Sequence, residues 1–372
     1  MVLMMLSVFL AACKSVLLPR ICSAQDFANY SIYYQYVVAL LPVVSLGLLD
    51  GYLLSYGKKY GKKSQNYDEY REAFTTIILI AFGLLVAFSF VVSALGIYGA
   101  FFELYIASSC FTQVLFFWYL KTIRFELKSI GFAFFSLVRI LIDLILIFSM
   151  GLNTVEELVL SEVVSYLVAL TLLVCFYKLK LPAFKVLSID VLLTHLRSGS
   201  FLALSALVAA LLLVSDKLLV SVFFEVEAVA EYNLYFLIFL PYMAVFNIVQ
   251  QYYLPKLNAL DDAEVITYVT SVKSVFYLYV LGMLFSFLVL LIVFPLFATG
   301  FYGYELSLNV VFCVALAAIF MVLNVFEMFL MSRGKFKLVF KINFNALMFE
   351  LVVLFGLLIV EQYSLLVYGV LA

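Results

Sequence analysis

The chain is predicted to be an all-α, polytopic membrane protein. Three observations predict it. Eleven long apolar stretches fill the 372 residues almost end to end. Apolar residues make up 67% of the chain, charged residues only 12%, and the mean hydropathy is +1.19, beyond what a soluble core holds. The stretches are continuous rather than alternating with period two, which argues against a transmembrane barrel. In lipid every backbone polar group needs a partner within its own element, so each stretch is a helix.

A helix of about 20 apolar residues crosses a hydrocarbon core of about 30 Å, which puts the spans at roughly 1–18, 30–56, 74–96, 104–121, 130–150, 158–177, 200–221, 232–254, 274–296, 306–331 and 338–360. A twelfth begins near Tyr363 and reaches Ala372, too short to cross. Leu10-Ala11-Ala12-Cys13 resembles a lipoprotein cleavage box, but no cation precedes the apolar run, so residues 1–18 are read as a span and not as a signal peptide.

Lysine and arginine orient the chain. Of the 22 cations, 18 fall in one set of loops: Lys58, Lys59, Lys62, Lys63 and Arg71; Lys121, Arg124 and Lys128; Lys178, Lys180, Lys185 and Arg197; Lys256 and Lys273; Arg333, Lys335, Lys337 and Lys341. The opposite loops hold Arg20 alone and carry Asp26, Glu156, Glu157, Glu225, Glu227, Glu231 and Glu305. The N-terminus is therefore expected to be cytoplasmic. His195, the single histidine, falls in a predicted cytoplasmic loop, so no histidine relay through the membrane is expected. The five cysteines (Cys13, Cys22, Cys110, Cys175 and Cys313) are scattered without disulfide or metal spacing and are read as small buried hydrophobes. There is no Gly-rich phosphate loop, no Ser/His/Asp set and no metal motif, so neither catalysis nor a cofactor is expected. The net charge of −1 points to no particular partner, and nucleic acid is not expected to be one.

The chain resembles itself at an offset of about 202 residues. Phe27-Ala28-Asn29-Tyr30-Ser31-Ile32-Tyr33-Tyr34 matches Val229-Ala230-Glu231-Tyr232-Asn233-Leu234-Tyr235-Phe236. Arg71 and Phe74 match Lys273 and Phe276, and Tyr98-Gly99 with Glu103 resembles Tyr302-Gly303 with Glu305. A six-helix repeat returns the chain to its starting side, so two parallel six-helix bundles are expected, as in transporters that rock two bundles about a central site. The predicted boundaries are 1–180 for the first bundle, 181–199 for a cytoplasmic linker and 200–372 for the second. On this offset Ala372 corresponds to about Leu170. The second bundle is expected to lack most of its last helix in this sequence.

The charges left inside the membrane are the candidate functional residues, because each costs about 2.5–3.5 kcal/mol at a helix centre and faces protein or water rather than lipid. They are Lys14, Arg139 and Lys217, with carboxylates Asp50, Asp143, Glu162, Asp216, Glu327 and Glu350. Arg139 and Asp143 lie four apart and share a face. They are either a self-neutralising pair or a partly balanced cation lining a cavity. Asp216 and Lys217 are neighbours, about 100° apart around their helix, so one is expected to face the cavity while the other meets an adjacent helix; snorkelling of Lys217 to the interface is the alternative. Lys14 occupies the repeat position of Lys217 within one residue. Lys14, Arg139 and Lys217 are expected to bind an anionic cargo, and Asp143, Glu162 and Asp216 to carry a coupling proton, since burial raises a carboxyl pKa. Gly47-x-x-x-Gly51 is read as a packing motif, and Pro42 and Pro241 as kinks.

With these features the chain resembles the multidrug/oligosaccharidyl-lipid/polysaccharide exporter superfamily, and within it the Wzx-type polysaccharide repeat-unit flippases. The residues that carry the resemblance are Asp26-Phe27-Ala28-Asn29-Tyr30 with Ser45-Leu46-Gly47-Leu48-Leu49-Asp50; Ser215-Asp216-Lys217 through Val229-Ala230-Glu231-Tyr232; and Phe301-Tyr302-Gly303-Tyr304-Glu305. Lys217 stands where the family usually has Arg, and Ala28 and Ala230 where it has Gly. The resemblance implies transfer of an undecaprenyl-pyrophosphate-linked oligosaccharide across the bacterial inner membrane for O-antigen or capsule synthesis. It also implies a polysaccharide polymerase and a chain-length regulator as partners beside the lipid-linked oligosaccharide and the bilayer. A cation-coupled antiporter of the multidrug-efflux type is the competing expectation, against which stands the lack of any carboxylate between Met1 and Pro19. An inactive or scaffolding membrane fragment is the third.

Overall fold

The computed structural model describes residues 2–45, 67–95, 100–125, 129–177, 186, 188–223, 226–237 and 324–359, with isolated positions between 249 and 312. Among the described residues every regular element is a helix: α1 (Val2–Ile21), α2 (Ala24–Ser45), α3 (Tyr67–Leu95), α4 (Ala100–Phe125), α5 (Ser129–Met150), α6 (Val155–Tyr177), α7 (Ile189–Phe223), α8 (Val226–Phe236), α9 (Asn324–Ser332) and α10 (Phe336–Ile359). Five of these helices, α1, α3, α5, α6 and α10, are long and apolar enough to cross a bilayer by length and composition. The chain is a multi-pass helical membrane protein. Residues Gly47 to Asp50, the Lys58–Lys63 group, Pro241 and the segment after Tyr363 lie outside the described residues.

Local chemistry sets the helix ends. Ser23 caps α2: its hydroxyl accepts the Asp26 N–H at 3.0 Å and donates to the Asp26 carboxylate at 2.5 Å. Thr154 and Glu157 form a reciprocal capping box at the start of α6. The Glu157 carboxylate accepts the Thr154 N–H at 3.3 Å, and the Thr154 hydroxyl accepts the Glu157 N–H at 3.4 Å. Directly before it, Gly151 ends α5 at φ +64°, and the Leu152 N–H returns to the Ile147 carbonyl at 3.0 Å. The α5–α6 corner is thus a tight hairpin. Gly334 closes α9 in the same way, at φ +68°.

One prediction is corrected here. His195 and Arg197 were expected in a loop, but α7 starts at Ile189 and runs 35 residues. At about 1.5 Å per residue it is longer than a hydrocarbon core of about 30 Å is thick. No proline interrupts it, and Asp190 favours the helix N-terminus.

The chain forms two compact units. A continuous unit holds residues 29–214, and a split unit joins residues 1–28 with 215–372. The boundaries fall inside α2 and α7. In the continuous unit, α4 packs on α3, α5 and α6, and α5 packs on α6. Its core includes Trp118, fully buried and stacked on Phe74 at 4.9 Å, and Phe116, edge-on to Tyr166 at 5.4 Å. In the split unit, α9 packs on α10.

Candidate functional site

In the continuous unit, four helices deliver polar side chains to one buried cluster. α5 brings Arg139 and Asp143 from successive turns. α6 brings Ser161, Glu162 and Tyr166. α4 carries a polar stripe of Ser109, Thr112 and Gln113 at helical spacing, and α2 brings Tyr30 and Tyr33. Glu162, 4% exposed, accepts hydrogen bonds on both oxygens, from the Tyr30 hydroxyl at 3.4 Å and the Gln113 amide at 3.3 Å. Asp143, 1% exposed, accepts from the Ser161 hydroxyl at 2.9 Å. The Tyr33 hydroxyl donates to Ser109. Arg139 is half-buried, with its guanidinium carbon 4.6 Å from the centroid of the Tyr166 ring. It lies near enough to Asp143 and Glu162 for both charges to act on it. The cluster holds two buried carboxylates and one guanidinium on which both act. A buried carboxylate is costly unless paired and hydrogen-bonded, and a proton or a monovalent cation is what such a set can take up.

The split unit builds a second cluster around α7. Asp216, 1% exposed, accepts the Tyr232 hydroxyl at 2.6 Å on Oδ2, while Oδ1 is buried without a hydrogen-bond partner among the described residues. The Ser215 hydroxyl donates to Glu350 of α10 at 2.5 Å. Lys217 is half-buried, its ammonium 3.9 Å from the centroid of the Phe236 ring, which in turn lies 5.1 Å from Tyr232. Lys14, also half-buried, belongs to the same unit.

Arg139, Asp143 and Glu162 are thus brought together, and Asp216 and Lys217 meet different partners from neighbouring positions. The tyrosines, Gln113 and Ser161 were not singled out as site residues by sequence reasoning, and Glu350 was named only among the intramembrane carboxylates, without a role. A signal was present for three of them. Tyr30 and Tyr232 are aligned by the 202-residue repeat, and each donates to a buried carboxylate of its own unit. Gln113 was legible as the end of a polar stripe in an apolar span. Glu350 becomes a partner of α7 only through folding, 135 residues from Ser215.

Outside the spans, burial and the neighbouring Asp26 push the Cys22 thiol up to about 11.

No family model matches the sequence, and no match is found among curated proteins. Solved structures do match, over nearly the whole chain. A point mutant of the Vibrio cholerae MATE transporter VcmN aligns with a TM-score of 0.62 at 17% identity, covering 99% of this chain and 90% of that one. The eukaryotic MATE transporter AtDTX14 aligns at 0.67 and 13% identity, covering 99% and 89%. A MOP-superfamily transporter from Pyrococcus furiosus, described by the reverse polarity of its binding pocket, aligns at 0.62 and 15% identity, covering 100% and 90%. At these identities the likeness is one of fold. The chain has the all-α fold of the MATE transporters of the MOP superfamily.

Proposed function

We propose that the protein is a proton-coupled membrane exporter of small organic solutes, of the multidrug-efflux type. The observation that carries this reading is the buried set in the continuous unit, in which the Asp143 and Glu162 carboxylates act on Arg139. Buried carboxylates in such a set can exchange a proton. Glu162 is its working member, because its two oxygens tie α6 to α2 through Tyr30 and to α4 through Gln113. Protonation turns two charge-assisted hydrogen bonds into weaker neutral ones and loosens those helices from each other. The fold shared with MATE transporters supports the same class. The membrane is the bacterial inner membrane, with the N-terminus cytoplasmic.

The test is efflux of ethidium from proteoliposomes under an imposed pH gradient. The full chain is expected to move ethidium against its gradient, and Glu162→Gln to cut the initial rate tenfold or more at normal protein level. Transport that ignores the pH gradient would overturn the reading.

A second reading is favoured by the half-buried cations Lys14, Arg139 and Lys217. These suit an acidic cargo such as an undecaprenyl-pyrophosphate-linked oligosaccharide. On this reading the chain is a flippase serving O-antigen or capsule synthesis, working beside a polymerase and a chain-length regulator. The sequence resemblance supports it, as does a neighbouring fold described for its reversed pocket polarity. Restoration of surface polymer in a flippase-null strain, lost on Arg139→Ala and Lys217→Ala, is its expected outcome. Absence of polymer with the unaltered chain would reject it.

A further inference from the structure

The start of α10 holds cations that the described fold leaves without a partner. From Arg333 to Phe349 the chain has four cations and no acid. One of them is accounted for: the Arg333 guanidinium donates to the Leu260 carbonyl at 3.2 Å and to the Leu257 carbonyl. Lys335, Lys337 and Lys341 are exposed, and among the described residues none of the three has a hydrogen bond or ion pair. Helix stability does not explain them, because the N-terminal end of a helix disfavours cations. The rotation of α10 about its axis is fixed on its other side. There Val339, Leu347 and Leu354 are buried, the Asn343 amide donates to Glu327 of α9 at 3.1 Å, and Glu350 accepts the Ser215 hydroxyl of α7 at 2.5 Å. The opposite face looks outward and carries Lys337, Lys341, Phe344, Met348, Val352 and Phe355, all exposed.

We propose that this face binds one anionic phospholipid, its phosphate held by Lys337 and Lys341 and its acyl chains laid along the apolar residues beyond them. Residues Phe336–Gly356 are long and apolar enough to cross a bilayer, so both lysines fall within the first two turns of a span. They are four apart and share a face, with Cβ atoms about 5–6 Å apart. Each Cα–Cβ bond of a helix tilts towards its N-terminus, so both stems lean to the headgroup end of the span. An ammonium left in hydrocarbon is costly, and a phosphodiester at that level meets both charges at once. Lys335, directly before the helix, adds a third positive charge. The apolar stripe suits any lipid; three cations with no acid among them select an anionic one. A second copy of the chain fits this face poorly, because a symmetric contact would set the same lysines against each other. The distribution of cations along the chain assigns the site to the cytoplasmic leaflet. Binding here is independent of the cargo and of the coupling ion.

Native mass spectrometry of the full chain tests this. The protein is stripped of lipid in a neutral detergent and titrated separately with phosphatidylglycerol and phosphatidylcholine, and the bound lipids are counted. The unaltered chain is expected to bind phosphatidylglycerol at least tenfold more tightly than phosphatidylcholine. A lysine beside an anionic headgroup is worth roughly fivefold in affinity. Lys335→Gln, Lys337→Gln and Lys341→Gln together are thus expected to weaken phosphatidylglycerol about a hundredfold and to leave phosphatidylcholine unchanged. Lys341→Gln alone should cost roughly fivefold, and serves if the triple variant does not fold. The three lysines changed together to arginine should restore binding. Arg20→Gln, which removes an exposed cation from another helix, should change nothing. Equal affinity for the two lipids, an unaffected Lys341→Gln protein, or an equal loss in Arg20→Gln overturns the site. Displacement of the lipid by millimolar inorganic phosphate overturns the assignment to a lipid. A stable dimer in lipid-free detergent that the triple glutamine variant no longer forms would show that a second copy occupies the face instead.

Discussion

Replacing Arg139 by methionine isolates the charge balance of the continuous unit. Methionine keeps much of the apolar stem over Tyr166 and removes the guanidinium. Two things are lost. The cation–ring contact at 4.6 Å contributes roughly 0.5–2 kcal/mol. The larger loss is electrostatic, because Asp143 and Glu162 would remain buried without the guanidinium on which both act. Removing one partner of a buried charged set costs about 3–5 kcal/mol. The lower end of that range, about 3 kcal/mol, is the expected minimum. For a unit of this size that corresponds to a fall in melting temperature of roughly 6–12 °C. The assay is built in. Trp118, the sole tryptophan, is fully buried against Phe74 in the same unit, so its emission follows the melting of that unit in detergent. Adding Glu162→Gln to the Arg139→Met protein removes one negative charge along with the positive one. The introduced amide also retains an acceptor for Tyr30 and Gln113. Most of the lost stability is therefore expected back, with an interaction energy of roughly 1–3 kcal/mol in the cycle. If Arg139→Met melts like the unaltered chain, or if the double variant melts below the single one, the charge-balance argument is wrong. Arg139 would then be a cargo ligand with no structural tie to the acids.

Two further outcomes follow from the geometry. At Gly131 on α5 an added Cβ would lie 1.8 Å from the Tyr177 hydroxyl of α6 and 2.8 Å from the ring carbon bearing it. Gly131→Ala is expected to displace the Tyr177 ring from Phe135 and Phe176 and to destabilise the unit by about 1–3 kcal/mol; Tyr177→Ala in the same chain should relieve it, and an unshifted melting curve for Gly131→Ala would refute the close contact. The Cys22 thiol, pushed up to about 11 by burial and by Asp26, is mostly protonated at neutral pH. In a variant retaining only this cysteine, maleimide labelling should be slow near pH 7.5, climb as pH approaches 11, and quicken at neutral pH with Asp26→Asn; fast labelling at neutral pH would contradict it.

Much of the architecture was legible without coordinates. Hydrocarbon cannot satisfy a backbone amide, so continuous apolar runs could only be helices. The energetic cost of an intramembrane charge singled out Arg139, Asp143, Glu162, Asp216 and Lys217 before any contact was known. The repeat pointed to Tyr30 and Tyr232 as equivalent positions, although not to their role. The loop expected around His195 failed because hydropathy detects where an apolar run ends, not where a helix ends, and the polar first turns of α7 are helical. What folding alone decided is which acid meets which donor. Spacing could pair Arg139 with Asp143 one turn apart. It could not bring Gln113 across 49 residues to Glu162 or Ser215 across 135 to Glu350. Those partners are chosen by helix packing, which depends on the shapes of facing surfaces, while insertion into the membrane depends mainly on composition along each helix.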